Sequence, residues 1–152
     1  MKQFARVSSL LAAMIMVSAA VLKMPDWELL SFQRDPLYRN WSGGIVLAMI
    51  LFQWGLTLGR AVFRRKGGAW NRWVDWHLRI AVVLPVAVLA HSIAIGFGLL
   101  AMLPLALLSA SYFGTRLDGA HEMDRFLRYH VILSALTLAM SLVHLHTVVW
   151  FR

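Results

Sequence analysis

Cysteine is absent from the 152-residue sequence. This absence excludes disulfides, iron–sulfur clusters held by cysteine, thiolate catalysis and haem attached through a CxxCH motif. Charge is scarce too, because 14% of the residues are charged, whereas a soluble domain carries about a quarter. The net charge of +8 does not indicate nucleic-acid binding, since Lys and Arg cluster at the ends of apolar runs, as they do in membrane proteins. The composition therefore favours an integral membrane protein.

The apolar residues form long runs that contain no acidic residue and are typical of transmembrane helices. As one helix, residues 80–115 would reach about 54 Å, well beyond a ~30 Å hydrocarbon core. Gly96 and Gly98 divide this run, so we interpret it as two helices in a hairpin, with a re-entrant second half as the alternative. The sequence predicts an all-α integral membrane bundle, a single domain over residues 1–152 with spans at about 6–23, 42–60, 77–96, 99–115 and 127–151.

The basic residues predict an orientation for this bundle. With the N-terminus inside, eleven of the 15 Lys and Arg fall in inner segments, as the positive-inside rule requires. We therefore expect a bacterial inner-membrane protein with a cytoplasmic N-terminus. A cleaved signal peptide, with Lys2 and Arg6 as its basic region, is the second interpretation of the first run, and we expect a retained helix. We interpret residues 25–41 as a surface loop with one interfacial helical turn after Pro25, and assign Trp54 to contact with lipid or another subunit.

Four histidines repeat one spacing in two of the predicted spans. His77 and His91 lie fourteen residues apart, and so do His130 and His144. Fourteen residues are close to four turns of helix, which places both rings about 40° apart on one face and about 21 Å apart along the axis. An intervening span makes the two helices parallel, so His77 should face His130 and His91 should face His144. A re-entrant loop would reverse this pairing.

Neutral imidazole is a good iron ligand, and two axial histidines suit a haem that passes electrons. We therefore predict that the two histidine pairs bind two haem b groups. Leu84 and Thr137 each lie seven residues past the first histidine of their helix, between the two levels. Four arginines near His77 and His130, the pair at the predicted inner side, are candidates for binding haem carboxylates. Anchoring at the membrane interface is the equal alternative for each of them: Arg72, Arg79, Arg125 and Arg128.

The other interpretations of the four histidines are a proton or metal transport path and a structural role. Ionisable groups at membrane depth are usually functional, which disfavours the structural role. A proton relay needs no matched spacing on two helices, and it commonly includes carboxylates, which these runs lack. His146 turns about 200° away from His144, and His121 lies in a charged loop. Neither of them is predicted to be a ligand.

Three stretches of the sequence carry the pattern of a known family: NRWVDWHLR at residues 71–79, continuing to His91; LALLS at 105–109; and RFLRYH at 125–130, continuing to His144. Over residues 70–150 they resemble the ferric reductase-like transmembrane domain family, which includes ferric reductases and NADPH oxidases. The specificity of the resemblance rests on the histidine spacing. Ala81 and Ser92 depart from it, at positions where Gly and Pro are frequent in the family.

The resemblance implies that His77 and His130 ligate an inner haem and that His91 and His144 ligate an outer one. Family members commonly continue into a cytosolic domain that binds flavin and nicotinamide, but no G-x-G-x-x-G fingerprint occurs in this sequence. We therefore expect a dihaem cytochrome that passes electrons across the membrane as a subunit of an oxidoreductase, with no catalytic residues of its own.

The expected partners of such a subunit are membrane lipid, a separate donor (a flavoprotein subunit or a quinol) and an acceptor on the outer side. Flavin or quinone would then be bound by a partner. Two alternatives remain from the sequence. One is a self-sufficient ferric or quinone reductase at the outer surface, with residues 25–41 and His146 lining its site. The other is a haem-free membrane subunit for assembly or transport.

Overall fold

The computed structural model of the chain describes residues 2–21, 31–63, 68–92, 99–115 and 123–150. Within these ranges all regular structure is helical, which confirms the all-α prediction. Each predicted span overlaps one of five helices: α1 (Lys2–Val21), α2 (Pro36–Phe63), α3 (Gly68–His91), α4 (Leu99–Thr115) and α5 (Met123–Trp150).

Helix α2 begins earlier than predicted, because the sequence carries a strong start signal at Asp35-Pro36. The Asp35 carboxylate accepts a hydrogen bond from the Tyr38 backbone N–H at 2.9 Å, which caps a donor that has no partner within the helix. Pro36 follows as the first helical residue, where a missing N–H costs nothing. The predicted loop over residues 25–41 is therefore wrong for residues 36–41, and the helical turn predicted after Pro25 lies outside the described residues.

The cap makes a testable prediction about stability. Replacing Asp35 with alanine should lower the free energy of unfolding by about 1 kcal/mol, the usual effect of losing an N-cap side chain. Denaturant unfolding in detergent micelles, followed by circular dichroism, measures this loss. The Asp35→Asn variant keeps an acceptor at the same position and should remain within a few tenths of a kcal/mol of the parent. An equal loss in both variants would contradict the assignment of Asp35 as the cap.

The helices pack around one apolar core. Helix α1 lies against α3 and α4, α2 lies against α3, and α4 lies against α5. Eight buried side chains of α1 to α4 form the centre: Ala12, Val46, Ile50, Leu84, Val88, Leu89, Leu107 and Leu108. A polar contact also joins α1 to α4, where the Ser9 and Ser111 hydroxyls lie 2.8 Å apart.

Helices α3 and α5 are separated by a gap. Among the described residues, no Cα atom of α3 lies within 8 Å of a Cα atom of α5. Directly packed helices have axes about 8–10 Å apart, which brings some of their Cα atoms closer than this. Only side chains therefore cross the α3–α5 gap.

Among the described residues, two helical segments are long and apolar enough to cross a bilayer, Arg72–His91 and Arg125–Trp150, and Met102–Thr115 of α4 is a shorter apolar segment. Only 22% and 17% of the most apolar windows of the two long segments are buried inside the protein. The core helix of a soluble protein would be mostly buried. Large apolar side chains such as Ile45, Ile132 and Val149 are instead exposed. These features suggest a membrane protein.

Candidate functional site

The structure brings the four histidines together in two pairs. The ring centres of His77 and His130 lie 6.1 Å apart with planes at 80°, and those of His91 and His144 lie 6.4 Å apart with planes at 71°. Helices α3 and α5 therefore run parallel, and the predicted pairing of first with first and second with second is confirmed. The reversed pairing expected from a re-entrant loop is wrong.

The separation of the rings fits a metal held between them. An imidazole nitrogen lies about 2 Å from a metal that it ligates, and the ring centre lies about 1.1 Å behind that nitrogen. Two imidazoles on opposite sides of one ion therefore have ring centres about 6.3 Å apart. Both observed distances, 6.1 Å and 6.4 Å, lie close to this value. Each pair spans the α3–α5 gap.

Helix α4 orients the inner ring of α5. His130 Nδ1 lies 2.7 Å from the Ala110 carbonyl oxygen, and a carbonyl only accepts, so Nδ1 carries the hydrogen and donates it. In neutral His130, Nε2 then carries no hydrogen and its lone pair is free. Metal-ligating histidines characteristically donate their second ring N–H in this way. Gly114 lets α4 approach this closely, since a Cβ atom there would lie 2.9 Å from His130 Cε1 and 2.9 Å from its Nδ1.

Helix α2 orients the outer ring of α3 in the same way. His91 Nδ1 lies 2.9 Å from the Ser42 hydroxyl. The Ser42 hydroxyl also lies 3.3 Å from the Arg39 carbonyl, to which it can donate its one hydrogen. In that arrangement it accepts from His91 Nδ1–H, and the lone pair of His91 Nε2 is free. The next residue, Gly43, lies against the ring, and a Cβ atom there would lie 3.0 Å from His91 Cε1.

The other histidine of each pair, His77 and His144, has different surroundings. Gln53 of α2 donates to the backbone carbonyl of His77 at 3.1 Å, which ties α2 to α3 at the inner level. His144 Nδ1 is buried and has no hydrogen-bond partner among the described residues. Because buried polar groups are usually paired, the outer site has the capacity for one more polar contact.

A half-open cavity of about 60 Å³ adjoins the inner pair. His77 and His130 line it, together with Leu84 and Thr137, the two residues predicted to lie between the histidine levels. Most of its surface is apolar, as in sites that exclude water around a few ligating groups.

Trp54 belongs to the wall of this cavity. Its indole Nε1–H donates to the Ser134 carbonyl at 3.0 Å, one helical turn past His130. Trp54 therefore links α2 to α5 beside the inner histidine pair. Its side chain is only partly buried, and its contact with lipid or another subunit stays a prediction.

The four predicted arginines lie at the exposed surface, and their binding of haem carboxylates stays a prediction: Arg72, Arg79, Arg125 and Arg128. The guanidinium of Arg79 lies over the Trp76 ring, 5.4 Å from its centre, which is a cation–π contact. Arg39, which was not predicted as a site residue, lies at the outer pair, where its positive charge acts on both His91 and His144.

Two histidines were not predicted to be ligands. His146 is exposed and stacks on Trp150, with ring centres 5.8 Å apart. His121 lies outside the described residues. Within the described ranges no three or more His, Asp or Glu side chains cluster to form a metal site, so each histidine pair supplies two ligands only.

Comparison of the chain with models of known protein families, with curated proteins and with solved structures found no match.

Proposed function

We propose that the chain is an integral membrane cytochrome that holds two haem b groups in the α3–α5 gap and passes electrons across the bilayer. The observation that carries the proposal is the pair of facing imidazoles at each end of the gap, 6.1 Å and 6.4 Å between ring centres. Two imidazoles per site are sufficient for haem, because the macrocycle supplies the remaining ligands of the iron. Haem b held by two histidines would supply one-electron chemistry at each site.

Each proposed haem would be held by one of the two histidine pairs. His77 and His130 would hold the inner group, and His91 and His144 the outer one. The Ala110 carbonyl and the Ser42 hydroxyl fix the two imidazoles that they contact in the tautomer with a free Nε2.

Apolar and charged residues complete the proposed sites. Buried Leu84 and Val88 exclude water between the two levels. The exposed arginines at the inner end and Arg39 at the outer end offer positive charge for carboxylates, which guanidinium groups bind well.

The membrane assignment rests on the apolar surfaces of the helices. Few residues in the most apolar windows of the long α3 and α5 segments are buried inside the protein, and a large exposed apolar surface in water is unfavourable. Together with the charge asymmetry of the sequence, this supports a bundle with its N-terminus in the cytoplasm of a bacterium, as in the positive-inside rule.

The resemblance to the ferric reductase-like transmembrane domain family supports a role as the electron-transfer subunit of an oxidoreductase. In this proposal a flavoprotein subunit or a quinol donates electrons at the inner side, and an acceptor takes them at the outer side. The chain would contribute the four histidines and the α3–α5 gap. Its partners would donate electrons at the inner end and accept them at the outer end.

The direct test is the haem content of the full chain, expressed with haem available and purified from the membrane fraction in mild detergent. We expect the absorption spectrum of a low-spin b-type cytochrome after dithionite reduction, and two haems per chain by the pyridine haemochrome assay. A chain recovered folded from membranes without haem would contradict the proposal. One haem per chain would reduce it to a single site, and the histidine variants described below would identify that site.

A further inference from the structure

The outer histidine of α3 occupies the last residue of its helix. Helix α3 was predicted to continue to residue 96, but it ends at His91. The last four carbonyl groups of a helix have no partner within it, and helix ends fray when those groups are not capped. His130, in contrast, lies inside α5 (Met123–Trp150). The position of the His91 ring therefore depends on what holds the end of α3.

One buried side chain from a distant part of the sequence caps this end. Gln33 is fully buried, at 0% exposure, and lies more than fifty residues before the carbonyls that it contacts. Its Nε2 amide, whose two hydrogens are shared among them, lies within hydrogen-bond distance of three carbonyl oxygens, those of Leu89 at 3.1 Å, Ala90 at 2.8 Å and Ser92 at 3.3 Å. A buried amide in this position replaces the water that would otherwise satisfy these acceptors.

Tyr38 strengthens the cap from the first turn of α2. Its hydroxyl donates to the Ala90 carbonyl at 3.0 Å, and its ring makes an edge contact with Phe32 at 4.7 Å between centres. Ser92 closes the turn by donating from its backbone N–H and from its hydroxyl to the Val88 carbonyl, at 2.9 Å and 2.7 Å. The carbonyls of Val88, Leu89 and Ala90 are thus all satisfied.

The same short stretch of chain also holds the ring itself. Ser42 accepts from His91 Nδ1 and Gly43 packs against the ring, on the helix that Asp35 and Pro36 start. We name the four residues Gln33, Tyr38, Ser42 and Gly43 the outer clasp. Gln33 and Tyr38 fix the backbone beside His91, while Ser42 and Gly43 fix the direction of its imidazole.

We infer that Gln33 is the positioning residue of the outer haem site, acting through the end of α3 on the axial ligand His91. The inference rests on the proposed function, and it makes the two sites separable: the inner ligands are held by α4 and by the interior of their helices, and the outer ligand by the clasp. Loss of Gln33 therefore releases the outer group selectively.

The experiment uses the full chain reconstituted with haem and compares three variants. Gln33→Met keeps the length and approximate volume of the side chain but removes the amide that donates these hydrogen bonds. Tyr38→Phe removes one bond and keeps the ring contact. Gln3→Met makes the same chemical change at an exposed glutamine of α1 and serves as the control. We expect haem content to fall from two to one in Gln33→Met, to fall less in Tyr38→Phe, and to stay at two in Gln3→Met.

Two readouts separate positioning from general damage. Electron paramagnetic resonance should show that Gln33→Met loses the low-spin signal of one site, or converts it to a high-spin signal, while the other signal is unchanged. Hydrogen–deuterium exchange on the haem-free protein should show the amides of residues 89–92 exchanging about tenfold faster or more, the effect of losing one to two hydrogen bonds.

The outcomes distinguish the two claims. A Gln33→Met protein with two haems and both parental low-spin signals overturns the positioning role of Gln33, and so does equal loss of both haems. Unchanged exchange at residues 89–92 overturns the cap itself. If the parent protein binds no haem, the proposed function fails, and the exchange experiment alone still decides whether Gln33 holds the end of α3.

Discussion

Replacing His130 with alanine should reduce the haem content from two per chain to one. His130 faces His77 across the gap at 6.1 Å between ring centres, and its removal leaves the inner site with one axial ligand and an enlarged cavity. The outer pair lies at the other end of the two helices, so its low-spin spectrum should persist. The pyridine haemochrome assay measures the stoichiometry, and a redox titration should show one of two midpoint potentials disappearing.

The matched control for this change is His146→Ala. His146 belongs to the same helix and is exposed, with its ring on Trp150, so two haems and both potentials should remain. The reciprocal variant His91→Ala should remove the other potential. Circular dichroism must show the helical content of the parent in each variant. Retention of both haems by a folded His130→Ala protein would contradict its role as a ligand.

A single methyl group at either glycine that faces a histidine should weaken haem binding at that site. A Cβ atom at position 114 would lie 2.9 Å from two atoms of the His130 ring, closer than such contacts occur, so the ring must move away from the Ala110 carbonyl. Overpacking of this kind costs about 1–3 kcal/mol, which corresponds to roughly 5- to 150-fold weaker retention. Gly114→Ala should therefore release the inner haem in a competition assay with apomyoglobin at least about fivefold more readily.

The corresponding change at the outer site comes with a control in the adjacent residue. Gly43→Ala would place a Cβ atom 3.0 Å from His91 Cε1, whereas a Cβ atom at position 44 has no atom within 4 Å. Both residues lie in α2, so both substitutions gain similar helix propensity, up to about 1 kcal/mol. Gly44→Ala should retain both haems and unfold at the same or higher denaturant concentration. Equal haem retention by Gly43→Ala and Gly44→Ala would show that the close approach of α2 has no effect on the outer site.

The pairing of the histidines could be predicted from the sequence because it depends only on helical periodicity and on the number of spans between two helices. The second contacts of those histidines could not. Ser42 lies 49 residues before His91 and Ala110 lies 20 residues before His130, and nothing in the local sequence says which helix packs against which ring. The signal that was available is the Gly43-Gly44 pair, since glycine in an apolar helix indicates a close approach of neighbours.

The ends of the helices could likewise be predicted only where the signal lies in the local sequence. The start of α2 was encoded locally, in Asp35 followed by Pro36, and was missed because the surrounding residues are polar and aromatic. The end of α3 was not encoded locally, since its cap is the side chain of Gln33, 56 residues before Leu89. The link from Trp54 to α5 could not be predicted for a related reason, because an apolar helix in an apolar solvent gives no sequence signal for which face points inward.

The gap between α3 and α5 has a further consequence for how the chain folds. In the described parts of the chain, these two helices reach each other only through side chains, so the bundle lacks one of the direct helix contacts that would close it. A ligand that binds the closed bundle and not the open one stabilises it in proportion to the logarithm of its concentration over its dissociation constant. In the proposed function, haem uptake and bundle closure would therefore be one coupled equilibrium, in which a higher haem concentration favours the closed bundle.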